Sequence, residues 1–370
     1  MSVNKWMKKL EGDFAKIASE MDKPSDKVIS LPSPSFNWAV GNNGLTEGKA
    51  VCFFGPESSG KSLLSQLTLI ELQKKYPQSI QILVDAEFSF NPIWFEKLGG
   101  DLKRLLVKQT NDPLQIFDWL EKDVLEMLQE GAPINGLMID SVKSIRYPND
   151  IKAKTTDLSM GGSGAKYLGS ALKGLLPIIR QYSITTLLVQ QVYEEMDQYK
   201  KMNNPWIIPD GRALKHFCDY MLQVERVDTK AGRIEEGSTM VGGALQVGHK
   251  VRVKGKKNRV GAPYRVAEFT LRYDTGIINT EEEIYELGKS LGVIHHPVSN
   301  ETGKPNNMMW AFASYPHVKG ETNMKFFITS STKVLDEVYQ ACLLADDNAV
   351  SARASAVQTV EIDLDITDLE

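Results

Sequence analysis

Residues 50–76 read "AVCFFGPESSGKSLLSQLTLIELQKKY". The stretch "AVCFFG" is apolar throughout rather than alternating, as a strand covered on both faces requires. From Ser62 to Tyr76 the pattern is helical. Between them, "GPESSGKS" at 55–62 matches G-x-x-x-x-G-K-[ST], and the preceding strand and following helix make the match meaningful. Gly55 and Gly60 permit a tight backbone path. The loop N–H groups and the helix N-terminus then face phosphate oxygens. Lys61 would reach the β- and γ-phosphates and the Ser62 hydroxyl would meet Mg²⁺. Gly55, Pro56, Glu57, Ser58, Ser59, Gly60, Lys61, Ser62 and Leu63 are therefore expected to bind a nucleotide. A chance glycine-rich turn is the alternative, and the flanking elements weigh against it.

The same alternation continues downstream. "IQILVDAE" (80–87), "NGLMIDS" (135–141) and "TTLLVQQ" (185–191) read as buried strands. "DPLQIFDWLEKDVLEMLQE" (112–130) and "SALKGLLPIIRQY" (170–182) read as helices, the second kinked at Pro177. Strands and helices in turn imply an α/β fold with a mostly parallel central sheet covered on both faces. "YMLQVERV", "HKVRVKG" and "VAEFTLRYD" extend that sheet. From about residue 281 a smaller α/β unit follows. Ahead of the core, Trp6, Leu10, Phe14, Ile17 and Met21 recur at helical spacing. "KVISLPSPS" then reads as an extended piece stopped by Pro32 and Pro34. The expected organisation is an arm over 1–33, a core over 34–280, a small domain over 281–345 and a disordered tail over 346–370.

Acids punctuate the strand ends, where ligands bind in open parallel sheets. Asp140 ends "GLMID", the place where a carboxylate serves the metal in phosphate-loop NTPases. Glu87 is the candidate to orient an attacking water, ahead of Asp85. Gln190 and Gln191 end their strand with uncharged amides able to bond a γ-phosphate, or merely to cap the strand. Two long polar segments leave strand ends, near 146–166 and 192–211. They carry Arg146, Lys152, Lys154, Lys166, Lys200, Lys201 and Arg212, with Met160, Tyr193, Tyr199, Met202 and Trp206 able to stack or wedge. Long loops of this kind are usually functional. Bases interleaved with aromatics suit single-stranded nucleic acid, and a substrate lid is the other reading.

With 370 residues, 42% hydrophobic and 24% charged, the chain has the make-up of an ordinary globular protein. Three scattered cysteines argue against a disulfide framework and fit a reducing cytosol. No apolar run is long enough to span a membrane and no signal core opens the chain. The adjacent His295 and His296 read as surface loop rather than metal site. The net charge is -4, yet from Asp346 onward there are seven acids and one base, so the body is mildly basic. A basic body with an acidic tail suggests a polyanionic partner. One stretch concentrates cations: six of the ten residues in "KVRVKGKKNR" (250–259) are Lys or Arg. Alternation with Val251 and Val253 suggests a solvated edge strand.

Taken together, "GPESSGKS", "DAEFSFNPIW", "MIDS", "DLSMGG", "GRALKHF" and "KKNRVGAPYRVAEF" resemble the RecA-type recombinases in order and spacing, over about residues 5–345. The last of these is absent from generic phosphate-loop ATPases. The resemblance implies ATP and Mg²⁺, the latter at Ser62 and Asp140, and a helical filament of identical subunits on single-stranded DNA that pairs with duplex DNA. It assigns Lys257 and Arg259 as cations lent to a neighbour's nucleotide, alongside Lys61, Glu87 and Gln191 in hydrolysis. Asn91 and Trp94 are implied adenine contacts, with Tyr273 reaching from the neighbour. The two loops become DNA-binding loops, with Met160, Gly161, Gly162, Lys166, Tyr193, Lys200, Lys201 and Arg212 as contacts. The arm would pack on the next subunit. Mediator or single-strand-binding proteins are implied partners, and a bacterial cytoplasm the setting, for a cellular or phage-borne gene. Gln190 departs from the family's usual Asn, and Arg259 from its common Lys, which is not an equivalent donor. Rival readings are a ring-forming helicase or regulatory ATPase of the same fold, and a small-molecule phosphotransferase.

Overall fold

A computed structural model describes residues 27–146, 163–203, 205–209, 211–236, 245–298 and 303–345. The helix expected at 6–21, the segment with Met160, Gly161 and Gly162, and the tail from Asp346 lie outside the described residues. The chain begins with β1 (Val28–Ile29), α1 (Pro34–Val40) and β2 (Leu45–Thr46), and β1 pairs antiparallel with β2. Pro32 and Pro34 were expected to stop an extended piece; β1 ends at Ile29, ahead of both, and Pro34 starts a helix. At the first helical position its missing N–H is one the helix would not have bonded, and the Ser33 hydroxyl caps by accepting from Phe36 N at 3.2 Å.

The core then runs β3 (Ala50–Gly55), α2 (Lys61–Lys75), β4 (Ile80–Asp85), α3 (Pro92–Lys97), β5 (Leu105–Gln109) and α4 (Pro113–Trp119). A π turn over Leu120–Val124 joins α4 to α5 (Leu125–Gln129). Next come β6 (Ile134–Asp140), α6 (Ser163–Gln181), β7 (Thr185–Gln191), β8 (Tyr193–Glu194), α7 (Gln198–Asn203), β9 (Trp206–Ile207) and α8 (Gly211–Phe217). Pro177 lies inside α6 without ending it. Four further strands follow: β10 (Tyr220–Arg226), β11 (Arg233–Glu236), β12 (Leu245–Asn258) and β13 (Val266–Arg272). The sheet closes with β14 (Gly276–Ile278), and α9 (Thr280–Ser290) leads away from it.

The described strands build a ten-stranded sheet ordered β14-β13-β12-β10-β3-β7-β6-β4-β5, with β11 beside β12. From β10 to β5 every pairing is parallel, and beyond β10 every pairing is antiparallel. Alternation along β3 divides the core: Val51 and Phe53 pack with Leu64 and Leu67 of α2, while Cys52 and Phe54 pack with Leu172 and Leu175 of α6. This two-sided burial is why the strand sequences are apolar throughout.

Residues 250–254 of the cationic stretch are not an edge. They belong to β12, which lies between β10 and β13 there, with Val251 and Val253 buried. Its other face is neutralised from both sides, Arg252 meeting Glu268 at 2.5 Å and Lys254 meeting Glu225 at 2.9 Å. Alternation reports one wet face, and an interior strand can have that as readily as an edge.

A separate apolar cluster, including Tyr285, Ile294, Phe312, Met324, Ile328 and Val338, forms the C-terminal unit. It is tied back to the core by buried Glu283, which accepts from Ser33 Oγ at 2.6 Å and Ser35 Oγ at 3.0 Å. His295 is exposed, while the Nδ1 of half-buried His296 lies 2.8 Å from the Met309 carbonyl. Among the described residues, no helix is long and apolar enough to cross a membrane, and all three cysteines are buried and free.

Candidate active site

Register aligns the ends of adjacent strands. Gly55 of β3 is opposite Gln191 of β7, and Asp85 of β4 is opposite Asp140 of β6. Above them opens a cleft of about 370 Å³ lined by Glu57, Ser58, Lys61, Ser62, Glu87, Asp140, Val189 and Gln191.

The loop from β3 to α2 takes left-handed backbone at Ser58 (φ 56°) and Gly60 (φ 100°). Such turns gather successive N–H groups into an anion-binding concavity. Gly60 caps α2 with no side-chain hydrogen bond, so the helix's first N–H groups remain for a ligand. Gly55 has a different duty: a Cβ there would come 2.0 Å from the Val224 carbonyl oxygen of β10.

Lys61 is buried, and its Nζ donates to the Pro56 carbonyl at 2.5 Å. Burial drives its pKa down to about 8, against the pull of Asp140, Glu87 and Glu57. Burial pushes Asp140 up to about 6, although the Ser62 hydroxyl donates to it and opposes the rise. A triphosphate would supply the charge that Lys61 lacks. Ser62 and Asp140 offer hard oxygen donors to a divalent cation. No group of three or more His, Cys, Asp or Glu with metal-binding geometry exists among the described residues. That partial set suits Mg²⁺, which keeps waters and takes phosphate oxygens for the rest.

Glu87 is fixed by three donors on one oxygen. Ser141 Oγ lies 2.5 Å, Gln191 Nε2 3.0 Å and Ser144 Oγ 3.2 Å from Oε1. None of the described hydrogen bonds falls on Oε2, which can therefore accept from a water. Asp85 is occupied otherwise, accepting from Ser89 N, Phe90 N and Gln109 Nε2 at 3.0–3.1 Å. The sequence reading missed Ser141, Ser144 and Lys143. Lys143 Nζ donates to Gln191 Oε1 at 3.0 Å and stands 4.4 Å from the Tyr193 ring centre. A continuous path thus runs from Glu87 through Gln191 and Lys143 to exposed Tyr193, at the root of the second long loop. Gln190 is buried and donates to the Pro209 carbonyl at 3.2 Å, bracing that loop's return. The only advance signal for this cluster was the run of polar residues after Asp140.

Other expected site residues lie apart from the cleft. Asn91 caps α3, accepting from Trp94 N at 3.1 Å, and Trp94 packs half-buried against the core. Tyr273 Oη bonds Gln246 Nε2 at 3.1 Å and lies 3.2 Å from His249 Nδ1. Lys257 donates to the Lys215 and Cys218 carbonyls, and Arg259 to the His216 carbonyl at 3.3 Å. Both cations thus serve the carbonyl end of α8. Their place in the sheet is informative: Asn258 is opposite Tyr220, and Tyr220 is opposite Val51. Gly55 lies four residues further along β3, about 13 Å at strand rise, so these cations sit at the opposite end of the sheet from their own cleft. Lys166 and Arg212 line a groove of about 850 Å³ between α6 and α8. The side chains of Lys200 and Lys201 lie outside the described residues.

A glycine-rich loop between strand and helix, with an acid ending the strand two places along the sheet, is the arrangement of a nucleotide-binding protein of the phosphate-loop class. The family model of the RecA N-terminal domain matches residues 2–278. Protein RecA of Rhodopirellula baltica is 29% identical over 317 residues, covering 86% of this chain and 76% of that protein. Protein RecA of Bacillus velezensis is 26% identical over 359 residues, covering 95% of each chain. Protein RecA of Heliobacterium modesticaldum is 26% identical over 346 residues, covering 94% of this chain and 91% of its own. The chain belongs to the RecA family.

Proposed function

We propose that this RecA-family protein is a DNA-dependent ATPase that assembles as a helical filament on single-stranded DNA and exchanges that strand with homologous duplex. The observation that carries the reading is the convergence of Lys61, Ser62, Asp140, Glu87 and Gln191 on one cleft. Lys61 and the loop N–H groups would grip the phosphates, and Glu87 would orient the attacking water through Oε2. Magnesium, held by Ser62 and Asp140, would offset phosphate charge. Gln191 would relay the state of the cleft to the second loop through Lys143 and Tyr193. Lys257 and Arg259, remote from their own cleft, would act on the nucleotide of an adjoining copy, as arginine fingers do. Binding to DNA would be salt-sensitive and largely indifferent to base sequence.

The test is ATP turnover with and without single-stranded DNA, for wild type and Lys257→Ala. DNA should raise the wild-type rate, and the variant should be slow. Mixing Lys257→Ala with Glu87→Ala protein should restore activity, because a cleft with Glu87 would then meet a neighbour with Lys257. Full turnover by isolated monomers without DNA, or no recovery on mixing, would refute the proposal.

A further inference from the structure

A buried imidazole lies beneath the phosphate loop and has no part in the chemistry proposed above. His249 stands on β12, two residues before Val251 and directly opposite Leu271 of β13. Side chains at these three places share one face of the sheet. Gly60 rests on that face, since a Cβ built on it would come 3.1 Å from Leu271 Cδ2 and 3.7 Å from Val251 Cγ2.

His249 is 2% exposed, and each ring nitrogen has a distinct setting. Nδ1 lies 3.2 Å from Tyr273 Oη, and that oxygen accepts from Gln246 Nε2 at 3.1 Å. With Gln246 donating to that oxygen, a phenol proton directed at Nδ1 would leave the imidazole proton on Nε2. Burial, then the Arg226 charge, lowers the ring's pKa and favours the neutral imidazole, while a loose hydrogen-bonding contact with the Ser59 backbone pulls the other way. Nε2 is buried and closes no hydrogen bond of normal geometry with a described residue. A buried donor without a closed bond is unusual and calls for a reason.

We propose that His249 is a positioning residue for the phosphate loop: its Nε2–H closes on the Ser59 carbonyl when a nucleotide draws the loop into its binding form. Tyr273, on the other nitrogen, keeps the proton where the loop needs it. The inference rests on the cleft being a nucleotide site. It makes Ser59 and Tyr273, on different elements, partners through one ring. A residue that merely fills space under the loop would show none of this directionality.

The experiment titrates full-length protein with a fluorescent ADP analogue and Mg²⁺. Glutamine can place its amide nitrogen near the position of Nε2, whereas asparagine reaches only that of Nδ1. His249→Gln should therefore bind within about 2-fold of wild type, while His249→Asn and His249→Leu should weaken roughly 5- to 10-fold. Tyr273→Phe leaves the buried ring in place and frees Nδ1 to take the proton. It should weaken binding about 2- to 3-fold, and it keeps the question open to measurement if the His249 variants fold poorly. Equal affinity of the Asn and Gln variants, or wild-type affinity in Tyr273→Phe, would overturn the inference while leaving the cleft intact. Wild type that bound no nucleotide, or Lys61→Ala that bound like wild type, would overturn the cleft reading and this inference with it.

Discussion

Glu283 offers a test in which charge, packing and pH can be separated. Its side chain is 7% exposed and joins α9 to the Ser33–Ser35 turn. Burial, reinforced by the Glu281 charge, pushes its pKa up from 4.5 to about 7, against the hydrogen bonds from Ser33 and Ser35. A carboxyl whose folded pKa exceeds its unfolded value favours the fold at low pH. That contribution fades as pH rises from about 4.5 to about 7 and is absent above. At pH 8 the ionised group therefore costs at most about 3 kcal/mol relative to a neutral one. Glu283→Gln keeps an acceptor for Ser33 and Ser35 and removes the charge. Its new amide N–H groups would face the side where Oε1 has no hydrogen-bond partner, at about 1 kcal/mol. The net expectation is a gain of about 2 kcal/mol at pH 8, or a melting rise of about 2–3 °C for a chain of this size. At pH 5 the gain should vanish or change sign. The assay is thermal unfolding of both proteins between pH 5 and 8 without nucleotide. A difference that stays constant across that range, or a variant less stable at pH 8, would refute the reasoning.

Gly55→Ala would drive a methyl group into the Val224 carbonyl, so a loss above about 3 kcal/mol is expected. A wild-type urea midpoint would contradict it. Glu87→Gln should slow ATP turnover by about 100-fold or more, with nucleotide affinity changed only a few-fold. Equal loss of both would make Glu87 a scaffold for Ser141, Ser144 and Gln191 instead. Deleting residues 346–370 should strengthen duplex DNA binding at low ionic strength, the difference fading near 0.2 M salt as screening sets in. Unchanged binding in a gel-shift titration would discard a competing role for the tail.

Much of the core was legible because its signals are local. β3 and β7 match the predicted runs "AVCFFG" and "TTLLVQQ" residue for residue, since burial on both faces leaves consecutive apolar residues with no charge among them. β5 was missed: at the sheet margin only Leu105 of "LLVKQ" is buried, so no such run exists. The phosphate loop was readable because its glycines, lysine and serine are contiguous. The partners of Glu87 were not, because Ser141, Ser144 and Gln191 meet only when three strand ends align. The valines of β12 announced one dry face, but which strands flank it is decided by residues far away in sequence. Asn91 shows another limit: a polar residue ahead of Pro92 can serve a ligand or cap a helix, and here its oxygen caps.

The parallel strands give the molecule two unlike poles, with the cleft at one and Lys257 and Arg259 at the other. If the cations serve a neighbour's nucleotide, as proposed, a twofold pairing would set like against like and leave both functions unmet. Stacking head to tail is the arrangement that brings cation to cleft, and each newcomer recreates the same vacancy it has just filled. An array grown this way has a front and a back that differ chemically. Its length would therefore be governed separately at its two tips, and a reagent that blocks one tip need not touch the other.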